Sequence, residues 1–457
     1  MTEKFELKGL WFLPENPENK IEGTLVFDPE DNSILELIGT FNDSSLRVED
    51  HEIILGFTTK GKEITLFNCL SAGGSMSFPG IHVTRYNVQF IFEGKYFSVR
   101  DELRFKKLRV NIVKLEEWVN VWGFSIEFNS NTKELNTNFK IPPAIKFQIN
   151  ENLEGQFMFS YKSGMIPSAN YQIEQTTELE LSHNTDIWVL DFLRLLYHFK
   201  TFLTLGIYED VYYESIEFII ADESEKEYIK IYFVQPKRNS KVINRGSHDF
   251  LFNYVLIETN FEQIIQKWFV LKETIPPVLN SLFASFANRD EFTETKFLNI
   301  IQALEIYHRR TNENTSELKA DFQLKLEPIF KGLTDIHKKW LIDKLAYKWE
   351  PNLRNRLKFL FRKFKISPLT KIIKGKNDLL NLINATVCSR NYYTHYDVSL
   401  QSKAYNGAQL YRLTEKLKIL LIIIILSETG FSNKEIEELF QKHEYRFFNH
   451  LLHNDES

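Results

Sequence analysis

The chain has 457 residues, of which 43% are hydrophobic and 14% aromatic, and it carries a formal net charge of −5 at pH 7. That apolar content excludes an intrinsically disordered protein, and the length favours two or three domains over one. Its two cysteines, Cys69 and Cys388, exclude a disulfide framework and a CxxC zinc site, so we expect a reducing cytoplasm.

Membrane insertion and secretion are not expected. The first residues, MTEKFELKGLWF, lack the basic and then long apolar stretch of a signal peptide. The most apolar run, ILLIIIIL at 419–426, has eight residues, whereas a membrane-spanning helix needs about 20. We therefore expect a soluble, cytoplasmic protein without membrane contact, in which this run is a buried helix or strand.

The first part of the chain, to about residue 180, has the period-two alternation of β-strands. Short alternating runs are separated by turn residues at the spacing of a sandwich or barrel. The segments on either side of Lys-Gly-Lys within 51–70 predict a β-hairpin. The alternating runs include IEGTLVFD (21–28), SILELIGTF (33–41), YNVQFIFEG (86–94) and VWGFSIEFN (121–129).

At 186–205 a helical pattern interrupts the predicted strands, and two further strands follow it. The polar segment 236–249 is typical of a linker or exposed loop. From about residue 250 onward the apolar residues follow the helical period. The sequence thus predicts an α+β multidomain protein: a β-rich, sandwich- or barrel-like domain over 1–245 and an all-α bundle over 246–457.

Positive charge is concentrated in the helical part. Residues 331–390 contain 15 lysines and arginines against four acidic residues, and such a block attracts a polyanion if it lies on one face. We predict contacts with the RNA backbone for its densest run; the alternative is a solvated helix face. The run comprises Arg354, Arg356, Lys358, Arg362, Lys363 and Lys365.

The segment CSRNYYTHYD (388–397) places polar groups on a helical stripe that begins with Ile383 and Val387. Asn391 and His395 are four residues apart, so the amide can hydrogen-bond the imidazole. Arg390 lies about 140° around a regular helix from His395, but its long side chain can bend toward the same pocket. We expect Asp378 or Asn377 to cap this helix.

These residue types suit RNA cleavage. The reaction needs a group that takes the 2′-hydroxyl proton or protonates the 5′-oxygen, which histidine does near neutral pH. It also needs a cation to stabilise the phosphate in the transition state, for which the arginine fork is suited. This chemistry requires neither metal nor cofactor. Alone, an R-x4-H spacing also fits a surface histidine and a solvated arginine.

RNYYTH within a helical bundle resembles the R-x(4–6)-H motif of HEPN-domain ribonucleases, in which the residue after arginine is often asparagine. FLNIIQALEIYHRR (297–310) and YKWEPNLRNRLKFLF (347–361) are similar to earlier helices of that domain. The first half, with LWFLPENPENKIEGTLVFDP and FPGIHVTRYNVQFIFEGKYF, is similar to the N-terminal domain of the ApeA family of bacterial anti-phage proteins.

The resemblance implies a metal-independent endoribonuclease that leaves a 2′,3′-cyclic phosphate. Arg390 would stabilise the phosphate, His395 would transfer protons and Asn391 would orient the site. HEPN domains generally dimerise, so we expect a homodimer or higher homo-oligomer. The implied role is abortive infection: the N-terminal domain restrains the nuclease until a phage-derived activator arrives, and cleavage of host RNA, with tRNA as a candidate, halts growth.

Two supporting residues leave alternatives open. Glu305 can pair with Arg309 on the helix surface, or it can pair with Arg390 and order the site. Tyr393, with its neighbours Tyr392 and Tyr396, can stack on an unpaired base or pack against the bundle. For the whole protein, the alternatives to a nuclease are a non-catalytic HEPN module that binds RNA, a nucleotide or a protein, and a β-domain ligand sensor with a structural helical tail.

Overall fold

The computed structural model describes residues 3–41, 49–75, 80–166, 170–221, 226–235, 246–287, 291–311, 315–345, 348–443 and 451. The chain divides into two compact units, Met1–Gln266 and Lys267–Ser457. Most of the predicted linker, 236–245, lies outside the described residues. The predicted domain boundary between 245 and 246 stays a prediction.

The first unit is built mainly from antiparallel strands, as the alternating sequence predicted. The predicted hairpin is confirmed, because its two strands, β4 and β5, pair with Ile54 opposite Leu66. The strands are β1 (Phe5–Leu13), β2 (Asn16–Phe27), β3 (Ser33–Ile38), β4 (His51–Thr58), β5 (Glu63–Ser75), β6 (Val83–Glu93), β7 (Arg104–Ile112), β8 (Phe124–Asn129), β9 (Glu134–Phe139), β10 (Ile145–Asn150), β11 (Leu153–Ile166), β12 (Asn170–Trp188), β13 (Tyr213–Ala221) and β14 (Lys226–Tyr232).

Part of this sheet closes into a barrel. Within the described residues, β6, β3, β2, β1, β4 and β5 are neighbours in that order, and β5 returns to pair with β6. The remaining strands extend the sheet from β6 through β14 to β10, while β8 and β9 form a separate hairpin. Trp11 fills the barrel beside Gly56, where a Cβ would lie 2.3 Å from the indole ring. Only glycine admits Trp11 at this position.

The first unit also contains helices packed against its sheet. The aromatic ring of Phe157 is the centre of a cluster with Trp118, Phe147, Tyr254 and Phe261, at ring-centroid distances of 5.1–6.1 Å. The predicted helix at 186–205 is confirmed, with its first three residues belonging instead to β12. The helices are α1 (Leu115–Val119), α2 (Val189–Ile207) and α3 (Tyr254–Ile257), and α4 (Phe261–Thr274) begins in this unit and ends in the second.

The second unit is helical throughout its described part, which confirms the predicted order of a β-rich region followed by an all-α one. The apolar run 419–426 is a fully buried stretch of α12. Among the described residues no helix is long and apolar enough to cross a membrane. The helices are α5 (Pro276–Ala287), α6 (Thr293–Thr311), α7 (Thr315–Phe330), α8 (Asp335–Leu345), α9 (Leu353–Lys363), α10 (Ser367–Ile372), α11 (Lys376–His395), α12 (Gly407–Glu428) and α13 (Asn433–Lys442).

The predicted cap of α11 is wrong. Gly375 is the N-cap residue and makes no side-chain cap. Asp378 lies in the first turn, and its carboxylate accepts a 2.8 Å hydrogen bond from the backbone N–H of Lys374, just before the helix. An Asp at this position still stabilises the positive end of the helix dipole.

Candidate active site in the helical unit

The polar stripe lies on the C-terminal half of α11 and becomes more exposed toward its end. Ile383 is buried, Val387, Arg390 and Asn391 are half-buried, and His395 is exposed in the last turn. The helix stops there because Tyr396 takes a left-handed conformation with φ of 51°. The apolar start of the stripe thus fixes the helix in the bundle, and the polar end faces outward.

Three of the predicted site residues are brought together. A carboxylate oxygen of Glu305, on α6, lies 3.6 Å from a guanidinium nitrogen of Arg390, on α11. The guanidinium also donates a 3.3 Å hydrogen bond to Oδ1 of Asn391. Of the two alternatives for Glu305, the structure therefore has the pair with Arg390, while Arg309 pairs with Glu350 at 3.0 Å.

The arrangement around His395 differs from the predicted one in its hydrogen bond. The Asn391 oxygen is occupied by Arg390, and the described residues show no hydrogen bond between Asn391 and His395. Asp397 lies near the imidazole because the chain turns at Tyr396. Hydrogen bonds from the side chain and backbone of Ser399, with the nearby His395 charge, lower the pKa of Asp397. The ionised carboxylate of Asp397 thus lies near the exposed imidazole of His395.

Hydrogen bonds to Tyr405 and a ring contact fix the end of α11 in the bundle. Ser389 is fully buried, and its hydroxyl accepts a 2.9 Å hydrogen bond from the backbone N–H of Tyr405. The hydroxyl of Tyr393 donates to the carbonyl of Tyr405 at 2.8 Å, and its ring packs edge-on against Phe297. Burial raises the pKa of Tyr393. We had not predicted the role of Ser389, since nothing in the sequence links it to a loop sixteen residues away.

Three of the residues predicted to contact RNA also make contacts within the unit, and their binding of RNA stays a prediction. Tyr393 is buried as described. Arg356 is 4% exposed, and its guanidinium contacts Glu350 at 2.6 Å and the carbonyl of Pro351 at 2.7 Å. Lys363 donates to the hydroxyl of Tyr307 at 3.5 Å and lies over two aromatic rings.

Three further residues of the basic run form one stripe on α9. Arg354, Lys358 and Arg362 follow at four-residue steps, so they share a face of the helix. Arg354 donates to the side-chain oxygen of Asn384, which places this face beside α11. Lys365 continues the same stripe beyond the helix end. The basic run thus has two sides: one holds the bundle together and the other presents charge along α11.

His308 is the other histidine close to these elements, and its surroundings exclude it as the proton-transfer group near neutral pH. The ring is 3% exposed and packs edge-on against Phe359. Burial and the neighbouring Arg356 lower the pKa of His308 to about 4. Among the described residues, no group of three or more His, Cys, Asp or Glu side chains is placed to hold a metal ion.

Residues 6–268 match the family described as ApeA N-terminal domain 1, and residues 298–435 match the domain described as Apea-like HEPN. The chain belongs to the ApeA family. The ApeA match alone covers more than half of the chain, and the two matches follow each other in the predicted order. No curated protein and no solved structure matches the chain.

Membership of the ApeA family, with a HEPN domain in the helical unit, makes this an anti-phage defence protein of the nuclease type. HEPN domains typically act on RNA and dimerise. All residues of the Glu305–Arg390–Asn391 cluster, and His395, lie within the segment that matches the HEPN domain.

Proposed function

We propose that this protein is a metal-independent endoribonuclease that cleaves host RNA, with tRNA as the candidate target, during abortive infection. The observation that carries the proposal is the arrangement on α11: an arginine held by Glu305 and Asn391, followed five residues later by an exposed histidine. An ion pair alone would need no exposed imidazole, and a structural histidine would be enclosed as His308 is.

Each residue has a distinct role in the proposed reaction. Arg390 stabilises the negative charge that grows on the phosphate oxygens, and Glu305 and Asn391 hold its guanidinium in place. His395 accepts the proton of the 2′-hydroxyl as its oxygen attacks the phosphorus. The P–O bond to the 5′-oxygen breaks, that oxygen takes a proton, and a 2′,3′-cyclic phosphate remains. A second protomer would supply a second imidazole for the leaving oxygen.

The family role assigns regulation to the N-terminal unit. In the proposed cycle this unit keeps the nuclease inactive in the cytoplasm, where host RNA is present, until a phage-derived activator binds. Once the activator has bound, cleavage of host RNA at Arg390 and His395 halts growth.

Purified full-length protein incubated with total tRNA and EDTA, with an extract of phage-infected cells as the source of the activator, tests the proposal. We expect fragments with 2′,3′-cyclic phosphate ends, which His395→Ala and Arg390→Ala should each abolish while circular dichroism stays unchanged. Lys434→Ala, an exposed cation on α13, serves as the charge-loss control. RNA binding without cleavage by the parent protein in the presence of this extract would instead support the non-catalytic binding module.

A further inference from the structure

A groove of about 620 Å³ lies between α9, α10 and the start of α11, a size typical of small-ligand sites. Its rim carries four cationic side chains, and none of the described residues that line it is acidic. The cations are Lys358, Arg362, Lys365 and Lys376.

The four rim cations make no ion pair within the described part of the chain, in contrast to Arg356 and Arg390. Four like charges around one opening repel each other, so an anion bound there would relieve the repulsion. The surrounding helices supply no such anion from their own lining side chains.

The floor of the groove is apolar. Phe361, Leu369, Leu380 and Ile383 line it, and the first, second and last of these are buried in the bundle. A free phosphate or another small anion would bind the rim cations but would leave the apolar floor exposed to water. The ligand that fits has a charged part and a flat or apolar part, and these two parts belong to one nucleotide: a phosphate and a base.

The groove is continuous with the proposed active site along one face of the bundle. The start of α9 contacts Asn384 through Arg354, while its end and the start of α11 meet at the groove. The two helices are therefore antiparallel, and the stripe from Lys365 to Arg354 runs toward Arg390. With a rise of 1.5 Å per residue, Lys376 and Arg390 are about 21 Å apart along α11.

We propose that this groove binds an unpaired nucleotide of the RNA substrate at a distance from the cleaved bond. The proposal rests on the proposed ribonuclease function and adds a substrate class to it, RNA that exposes an unpaired base several nucleotides from the scissile phosphate. The base enters between α9 and α11, and the rim cations contact the flanking phosphates. Cleavage specificity then depends on the spacing between the groove and Arg390.

The test uses the full-length chain with His395→Ala, which removes cleavage, and a fluorescein-labelled RNA hairpin with roughly eight unpaired loop nucleotides. Each loop base is removed in turn to give a series of abasic probes, and affinity is measured by fluorescence anisotropy. Thr370→Trp fills the groove from an exposed position without changing the charge. Thr334→Trp adds the same side chain at an exposed site away from the groove and is the matched control.

We expect one abasic position to lower affinity about tenfold, in line with the energy of stacking one base. Thr370→Trp should weaken binding of the intact probe by a similar factor and remove this position dependence, and Thr334→Trp should do neither. Replacing Lys365 and Lys376 together by Ala should reduce the slope of log affinity against log salt by about 1.4, the value for two phosphate contacts on a single strand.

Equal affinity for all probes, or a Thr370→Trp protein that binds them as the control does, would overturn the proposal. If Thr370→Trp changed the mass of the protein measured by light scattering but left its RNA affinity unchanged, the groove would be a contact with a second copy of the chain. That result would also overturn the proposal. Cleavage by the protein with an intact His395 is measured separately. Its absence with an extract of phage-infected cells present would refute the proposed nuclease, while the abasic series would still decide whether the groove binds a nucleotide.

Discussion

Arg356 and Arg362 lie six residues apart in the same basic run, yet we predict opposite effects for their replacement. Arg356 is 4% exposed and contacts Glu350, the carbonyl of Pro351 and, at 3.5 Å, the carbonyl of Glu305. Removing one partner of a buried ion pair costs about 3–5 kcal/mol. In Arg356→Ala, Glu350 keeps its 3.0 Å ion pair with Arg309 and is partly exposed. We therefore expect a loss in the free energy of unfolding at the lower end of this range, about 3 kcal/mol.

For a helical unit of this size, a loss of about 3 kcal/mol lowers the melting temperature by about 6–12 °C. Arg362→Ala, on the exposed side of α9, should change the free energy of unfolding by less than about 0.5 kcal/mol and should lower RNA affinity. Urea unfolding and RNA anisotropy measured on both variants test this. If Arg356→Ala unfolded at the same urea concentration as the parent, our assignment of a structural role to Arg356 would be refuted.

The remaining predictions concern the neighbours of Arg390 and a buried histidine. Glu305→Gln should lower kcat about tenfold, equivalent to about 1.4 kcal/mol, with KM nearly unchanged, because Arg390 loses its charged partner at 3.6 Å; an unchanged kcat would contradict this role. The folded-state pKa of His308, about 4, is lower than its ordinary value, so the unfolded chain binds a proton first as pH falls below about 6.5. Stability should therefore fall by about 2 kcal/mol between pH 7 and pH 5, and His308→Phe should remove that loss in urea titrations at the two pH values.

The fold class was predictable because the period-two pattern dominates the first part of the chain and the helical period is continuous after about residue 250. The 51–70 hairpin followed from a turn between two alternating runs, and both were local features. Closure of the barrel was not predictable, since the pairing of β5 with β6 depends on the register of five intervening pairs of strands. The predicted cap of α11 was wrong because the helix begins at Lys376, before both predicted residues, and Asp378 accepts instead from the backbone N–H of Lys374.

The candidate site was predictable as a set of residues but not as a set of contacts. The neighbours Arg390 and Asn391 point to different sides of a regular helix, yet the long arginine side chain bends and donates to Asn391. The basic run shows the same limit. Whether Arg356 or Arg362 is buried depends on where Glu350 and the carbonyls of Pro351 and Glu305 lie in the bundle, and only the tertiary structure gives that information.

The most direct test of the account is the single-turnover rate of tRNA cleavage by His395→Ala, measured against the parent protein under activating conditions. We predict that the rate falls by at least about 10³-fold, the upper part of the range for loss of a proton-transfer group, while urea unfolding stays within about 0.5 kcal/mol of the parent because the ring is exposed. A His395→Ala protein that cleaves tRNA as fast as the parent would contradict the assignment of the active site.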